Sequence, residues 1–144
     1  MTWREALDRP AAAQALHLKR LMESRPYFSR VPAPEFIVDD QVWSSVPGAG
    51  RYRFVATMDS AGSWAMVYAP LGRTFSVNLK MLKGSHLVAW WYSPRTGRAD
   101  KIGRFANDGS QRAFTPPTDG EALDWVLVID DAAKKYPKPG KRLK

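Results

Sequence analysis

The sequence contains no cysteine and only two histidines. The absence of cysteine excludes disulfide bonds, thiolate metal sites and thiol catalysis. His17 and His86 lie far apart in the chain, and neither has a histidine, aspartate or glutamate at a spacing typical of metal ligands. The sequence therefore predicts no metal site and no cofactor.

Long apolar segments are also missing. No stretch approaches the roughly 18 apolar residues of a membrane-spanning helix. Seven charged residues interrupt the first 24 positions, where a secretory signal would need an apolar core. We therefore predict no membrane association. Localisation stays open at this stage: extracellular or periplasmic if the chain belongs to a secreted parent enzyme, and cytoplasmic otherwise.

Acidic residues are absent from the last eleven positions, which hold six lysine or arginine residues. Subtracting those six charges from the net charge of +8 leaves the first 133 residues at +2. Pro137, Pro139 and Gly140 interrupt the basic run, so it cannot form a single recognition helix. We predict a basic, disordered tail over residues 134–144 and no dedicated nucleic-acid partner, with non-specific attraction to polyanions as the alternative.

A length of 144 residues favours one domain, and its first part is helical in pattern. Pro10 suits the first position of a helix, where its missing N–H costs nothing, and Pro26 ends the helix. Between them an apolar stripe recurs at helical spacing; it consists of Ala11, Ala15, Leu18 and Met22, with Leu21 beside it. We assign residues 1–35 to this N-terminal helix and a connecting segment.

From Arg51 onward the apolar residues alternate with polar ones, which is typical of strands. Seven short strands are predicted at residues 51–58, 63–69, 74–79, 85–92, 99–105, 111–115 and 124–130. The last is apolar on both faces and is expected at the centre of a sheet. Asp39 is a candidate cap for one helical turn over Asp39–Ser45. The fold class is therefore mainly β: an antiparallel β-sandwich of about seven to eight strands over residues 36–133, with an N-terminal α-helix.

Aromatic residues are the most informative class. Trp90, Trp91 and Tyr92 are consecutive in one predicted strand, where neighbouring side chains point to opposite faces. If Trp91 faces the core, Trp90 and Tyr92 face outward. They could bind a ligand, or the N-terminal helix or a neighbouring domain could cover them. The candidate ligand-binding residues form an aromatic strip flanked by two arginines: Trp90, Tyr92, Tyr68, Trp64, Arg95 and Arg73.

The carboxylates give no catalytic signal. A glycosidase needs two acids that face each other across a sugar. The aspartates here stand mostly where helix caps and turns favour them, and the serines lack a nucleophile-elbow context. We predict no catalytic residue, although a small stand-alone hydrolase remains an alternative.

Four motifs occur in the order of a known family. They are Tyr68-Ala69-Pro70, the run from Trp91 to Gly97, Phe114-Thr115-Pro116-Pro117 and the run from Asp124 to Val128. Over residues 36–130 the chain resembles the domain termed the putative collagen-binding domain of a collagenase. That domain is typically the C-terminal β-sandwich of apiosidase-like glycoside hydrolases. The stretch from Trp3 to Tyr27 is similar to the last barrel helix of such a parent, which leads into the sandwich through Arg25-Pro26-Tyr27.

The resemblance implies a non-catalytic accessory domain that supports a catalytic barrel. It transfers no catalytic residue to this chain, because hydrolysis in the family belongs to the barrel. Polysaccharide or a collagen-like protein is the ligand that it implies. The main alternative is a purely structural or oligomerisation domain, which would associate with a barrel or with itself through the N-terminal helix. A small glycoside hydrolase and a polyanion binder that uses the basic tail are the others.

Overall fold

The computed structural model describes residues 2–7, 10–38, 54–118 and 123–143. Two helices, α1 (Trp3–Leu7) and α2 (Pro10–Glu23), precede all the strands. The strands are β1 (Arg30–Pro32), β2 (Val55–Asp59), β3 (Trp64–Ala69), β4 (Phe75–Asn78), β5 (His86–Tyr92), β6 (Ala99–Ala106), β7 (Gln111–Phe114) and β8 (Trp125–Asp131). Short 3-10 turns lie at Pro34–Phe36, Leu79–Met81 and Ala132–Lys134.

The strands form two antiparallel sheets. The larger has six strands in the order β1-β2-β3-β8-β5-β6, and the smaller pairs β4 with β7. Strand β8 lies between β3 and β5, and all seven of its residues are buried. The predicted class, an antiparallel β-sandwich with an N-terminal helix, is confirmed, as is the central position of the apolar strand.

The seven predicted strands correspond to β2 through β8, and the structure adds β1. The sequence did not indicate β1, because it has only three residues and contains Pro32. It pairs with β2 alone and forms an edge of the sheet, where a residue without an N–H is tolerated. The turn predicted over Asp39–Ser45 and the first three positions of the strand predicted from Arg51 lie outside the described residues.

The main core lies between the two sheets. The Trp91 ring makes edge-to-face contacts with Phe75 and Trp125, at centroid distances of 6.1 and 6.5 Å respectively. Phe75 in turn makes an edge contact with Phe54 at 5.2 Å. Burying each such side chain contributes roughly 1.5–3 kcal/mol, so this aromatic series is a main source of stability. The prediction that Trp91 faces the core is confirmed.

Helix α2 begins at Pro10 and ends at Glu23, three residues before Pro26. Leu21 is buried in a second apolar cluster, on the side of the larger sheet that faces away from the main core. The described members of the predicted stripe, Ala15, Leu18 and Met22, are exposed, the last two by 40% and 41%. The buried contact with the sheet comes instead from Leu21, beside the stripe. Within the described residues, neither helix is long and apolar enough to cross a membrane.

The C-terminal residues make specific contacts with the body, whereas the sequence predicts a disordered tail. The hydroxyls of Tyr136 and Ser63 share a hydrogen bond of 2.8 Å, and the Leu143 N–H donates to the Glu23 carbonyl at 3.1 Å. Pro139 is buried. Composition does not predict these contacts, because the segment is rich in charged residues that favour solvent. The contacts are made by Tyr136, Pro139 and the backbone rather than by the lysines.

Candidate functional site

The predicted aromatic residues share one face of the larger sheet. The pairing register places Tyr68 of β3 and Tyr92 of β5 on either side of Val126 in β8. Two residues before Tyr68 and Tyr92, Met66 of β3 and Trp90 of β5 lie on either side of Val128 in β8. Because side chains alternate along a strand, Trp64 also belongs to this surface, which we call the outer face.

Helix α2 covers part of the outer face. The Tyr92 hydroxyl donates to the His17 carbonyl at 2.6 Å, and Leu21 packs in the same cluster as Trp64 and Tyr92. Both aromatic side chains are 0% exposed. Burial raises the pKa of Tyr92. The sequence allowed these aromatic residues either to bind a ligand or to be covered by the N-terminal helix. In the structure the helix covers Trp64 and Tyr92 and removes both rings from solvent.

The C-terminal segment covers the neighbouring part. Tyr136 packs against the outer cluster, and the Arg25 guanidinium carbon lies 5.1 Å from the centre of its ring. Gly140 lies directly against Tyr92: a Cβ on this glycine would stand 2.8 Å from the Tyr92 Cε2 atom. The two coverings come from opposite ends of the chain, which is why no local pattern indicates them.

Two other predicted residues, Trp90 and Arg73, are less buried than Trp64 and Tyr92. Trp90 is half-buried, and the Lys101 ammonium on the neighbouring strand β6 lies 5.9 Å from the ring centre. Arg73 is exposed in the loop between β3 and β4. The structure therefore does not present Trp64, Trp90 and Tyr92 as one open aromatic strip.

Tyr68 and Arg95 are brought together by Asp124, which the sequence did not select as a site residue. The Tyr68 hydroxyl donates to Asp124 Oδ2 at 2.9 Å, and Arg95 Nε donates to Oδ1 at 3.3 Å. Arg95 also donates to the Asp124 carbonyl and lies over the Trp125 ring at 5.0 Å. Burial, with the adjacent Asp124 carboxylate, raises the pKa of Tyr68 to about 12. Each Asp124 carboxylate oxygen thus accepts one side-chain hydrogen bond, and the carboxylate joins Tyr68 of β3 to Arg95, which follows β5.

An open groove, which we call the outer groove, runs between α2 and the uncovered part of the outer face. Its volume is about 410 Å³, and its lining is mainly apolar. Leu18 and Met22 form its helical wall, and Val55, Met66 and Tyr68 form much of its floor. Asp124 lies at its edge. A mainly apolar surface of this kind is suited to protein contact or to a flat, uncharged ligand.

A buried ion pair joins the end of α2 to the sheet. Arg25 donates from Nε and Nη2 to the two carboxylate oxygens of Asp130, at 2.8 and 2.7 Å. A third donation goes to the Ser24 carbonyl at 2.6 Å. Both side chains are almost completely buried. Such a two-point contact fixes the direction in which the helix leaves the sandwich.

Nearly all of the described carboxylates contact a donor within the protein. All except Glu35 accept a hydrogen bond or an ion pair, and their partners are as follows: Glu5 with Thr2, Glu23 with Lys19, Asp59 with Ser63, Asp100 with Arg98, Asp108 with Ser110, Asp124 with Tyr68, Asp130 with Arg25 and Asp131 with Ala133. Across the same part of the chain, no three histidine, aspartate or glutamate residues are grouped to hold a metal ion.

Comparison with known proteins gives a consistent result. Residues 31–130 match the family described as "Putative collagen-binding domain of a collagenase". A solved structure described as a glycoside hydrolase is 30% identical over 95% of this chain, with a TM-score of 0.79. A family 5 glycoside hydrolase from Bacteroides vulgatus is 29% identical over the whole chain, with a TM-score of 0.80. In both cases this chain spans only 29% of the other's length. No curated protein matches it significantly.

Proposed function

The chain belongs to the family of the putative collagen-binding domain of a collagenase, and on that premise we propose that it is a non-catalytic accessory domain of a glycoside hydrolase. One observation carries the proposal: the whole chain superimposes on 29% of a much longer glycoside hydrolase with a TM-score of 0.80. The catalytic part of such an enzyme then lies in the remaining length, outside the sandwich.

The chemistry of the described carboxylates supports the non-catalytic half of the proposal. A glycosidase acid must exchange a proton with the glycosidic oxygen, so it needs a free oxygen facing a sugar. Asp124 is the one carboxylate among the described residues that line the outer groove, so the groove lacks the second acid that a glycosidase needs; Tyr68 and Arg95 each donate to one of its oxygens. Asp130 is buried, and Arg25 donates to both of its carboxylate oxygens.

The outer groove supports an association with the catalytic barrel. Leu18 and Met22 expose about two-fifths of their surfaces on the side of α2 that faces the groove. The Arg25–Asp130 pair holds the helix in that orientation. We propose that the catalytic part packs on this surface, so that α2 acts as a rigid link between barrel and sandwich.

The proposal is tested by two assays on the 144-residue chain. Incubation with nitrophenyl glycosides and pectic polysaccharides should give no turnover. Mixing with the catalytic part encoded in the same or a neighbouring reading frame should give a complex, which Met22→Glu weakens and Phe28→Glu, on an exposed loop, does not. Robust turnover that Asp124→Asn abolishes would instead establish a stand-alone hydrolase.

Self-association is the second candidate, because the same exposed leucine and methionine could pair with a second copy. Sedimentation velocity over a hundredfold concentration range distinguishes the two. A reversible dimer that Met22→Glu dissociates would favour an oligomerisation domain, whereas a monomer at all concentrations favours a surface reserved for the barrel.

Ligand binding through the predicted strip is a further part of the proposal. Tyr68 and Arg95 are its accessible members beside the groove, whereas Trp64 and Tyr92 are buried. Titration with neutral plant-wall glycans and with collagen should therefore respond to Tyr68→Ala more than to Tyr27→Ala, a matched exposed tyrosine. Equal responses would remove this part of the proposal and leave the accessory role intact.

A further inference from the structure

The C-terminal segment forms a second concave site, away from the residues discussed so far. A cleft of about 400 Å³ is lined by Lys134, Lys135, Lys141 and Arg142, together with Tyr136 and Pro137. We call it the C-terminal cleft. Its volume lies within the range of about 300–1,000 Å³ that holds small ligands or one unit of a polymer.

The cations of this cleft have no ion-pair partner within the part of the chain that the structure describes. The two acids that precede this segment contact other groups: Asp130 pairs with Arg25, and Asp131 accepts from the Ala133 N–H at 3.0 Å. Four positive charges around one concavity attract an anion, since their mutual repulsion falls when it binds.

The backbone around the cleft is held in place. After the 3-10 turn at Ala132–Lys134, Lys135 adopts a left-handed conformation with φ of 51° and its N–H donates to the Ala132 carbonyl, which ends the turn. The Lys141 N–H donates to the Lys138 carbonyl at 3.0 Å, and Leu143 is bonded to the end of α2. Tyr136 is anchored by Ser63. The lysines are therefore presented from a shaped surface rather than from a free tail.

From this geometry we propose that the C-terminal cleft binds an acidic polysaccharide through its carboxylate or sulfate groups. The Tyr136 ring and Pro137 offer flat apolar surface on which the C–H face of a pyranose can pack. Four of the six basic residues in the last eleven positions line this cleft, whereas the first 133 residues carry a net charge of only +2. A duplex-binding protein instead needs a basic surface that spans several phosphates. The choice of a glycan rests on the proposed accessory role, while the anion site itself does not.

Calorimetric titration of the 144-residue chain with oligogalacturonate tests the inference, because full methyl-esterification gives the same polymer without charge. Binding is expected for the acid form and not for the ester, and it should weaken as salt rises. Lys134→Gln combined with Lys141→Gln should weaken it roughly tenfold, on the scale of two surface charge contacts. The matched pair Lys80→Gln and Lys83→Gln removes the same charge from another exposed surface and should change little.

Three outcomes would overturn the inference: equal binding of acid and ester, equal losses in the two double variants, or single-stranded DNA binding as tightly as oligogalacturonate. The last would indicate a general polyanion surface. If the double variant at Lys134 and Lys141 does not fold, the double variant Lys135→Gln with Arg142→Gln replaces it in the same titration. Failure here leaves the accessory role standing, because that role is judged by the turnover and complex-formation assays.

Discussion

The pair of Arg25 and Asp130 shows how one contact decides the placement of a helix. Two charges are removed from water, which is costly, and only their mutual attraction and complete hydrogen bonding offset that cost. The pair therefore adds little net stability, but it penalises any arrangement in which either partner is left alone. Its main consequence is that α2 has one allowed direction on the sheet.

Removing Arg25 should be severe for this reason. We expect Arg25→Met to destabilise the fold by about 3–5 kcal/mol at neutral pH, because it leaves a buried, uncompensated carboxylate. Urea unfolding measures the change. Arg98→Met is the control: its pair with Asp100 is exposed and is worth under about 1 kcal/mol.

The Arg25→Met effect should also depend on pH. Burial raises the pKa of Asp130, and Arg25 opposes that rise. Without the arginine, the folded state holds a proton that the unfolded chain has already released, so stability falls with rising pH. The difference from wild type should shrink as pH falls towards 3.8, the ordinary aspartate value. A pH-independent difference would mean that Asp130 remains solvated in the variant.

Tyr68 gives a second prediction for a single residue. Its pKa is raised from 10.0 to about 12, first by burial and then by Asp124. Between these values the unfolded chain loses the phenolic proton while the folded chain keeps it, so this residue's contribution to stability is lost as pH rises. Asp124→Asn should lower the pKa of Tyr68 but leave it above 10.0, since burial remains. Tyrosinate absorbance, taken as the difference from each protein's Tyr68→Phe counterpart, measures it.

At the scale of single strands, the sequence predicted well which side chains share a face. Alternation alone places Trp91 opposite Trp90 and Tyr92, because successive side chains on a strand point to opposite sides. It cannot show what lies over each face. The bond from Tyr92 to His17 joins residues 75 positions apart, and that from Tyr136 to Ser63 joins residues 73 apart.

Two elements from opposite ends of the chain, α2 and the C-terminal segment, close over the outer face. Neither is a strand, yet together they bury Trp64 and Tyr92. Gly140 allows a close approach, since its φ of +90° and its missing side chain bring the backbone against the Tyr92 ring. A segment with such a basic composition can pack only where its few apolar and small residues meet the sheet.

Comparing alanine substitutions at Gly140 and Gly109 distinguishes the free-energy cost of lost packing from the cost of backbone strain. Gly109 also has a positive φ, +71°, but a Cβ there would meet nothing within 4 Å. Gly109→Ala should therefore cost only the backbone strain, about 1 kcal/mol. Gly140→Ala should cost about 1–3 kcal/mol more, because the methyl group would overlap the tyrosine. Urea unfolding measures both, and amide exchange at Leu143 should speed up only in Gly140→Ala. Equal costs would show that the C-terminal covering contributes nothing.

For the molecule as a whole, the helix and the sandwich should behave as one cooperative unit. Leu21, the Arg25–Asp130 pair and the Tyr92 hydroxyl all join α2 to the larger sheet. We expect unfolding followed by helical circular dichroism to have the same midpoint as unfolding followed by tryptophan fluorescence. Two separate midpoints, with the helix first, would mean that α2 is a flexible appendage and would contradict its role as a rigid link.

The sequence by itself determined the local architecture: a helix bounded by Pro10 and Pro26, seven of the eight strands, and the inward direction of Trp91. These follow from periodicity and from proline and glycine chemistry, which act over a few residues. Only the tertiary structure decided which aromatic residues stay accessible, how Asp124 joins Tyr68 to Arg95, and that the lysine-rich end forms a cleft. The physical reason is that covering and charge pairing are contacts between segments distant in the chain, and they depend on how the whole molecule packs rather than on any local pattern.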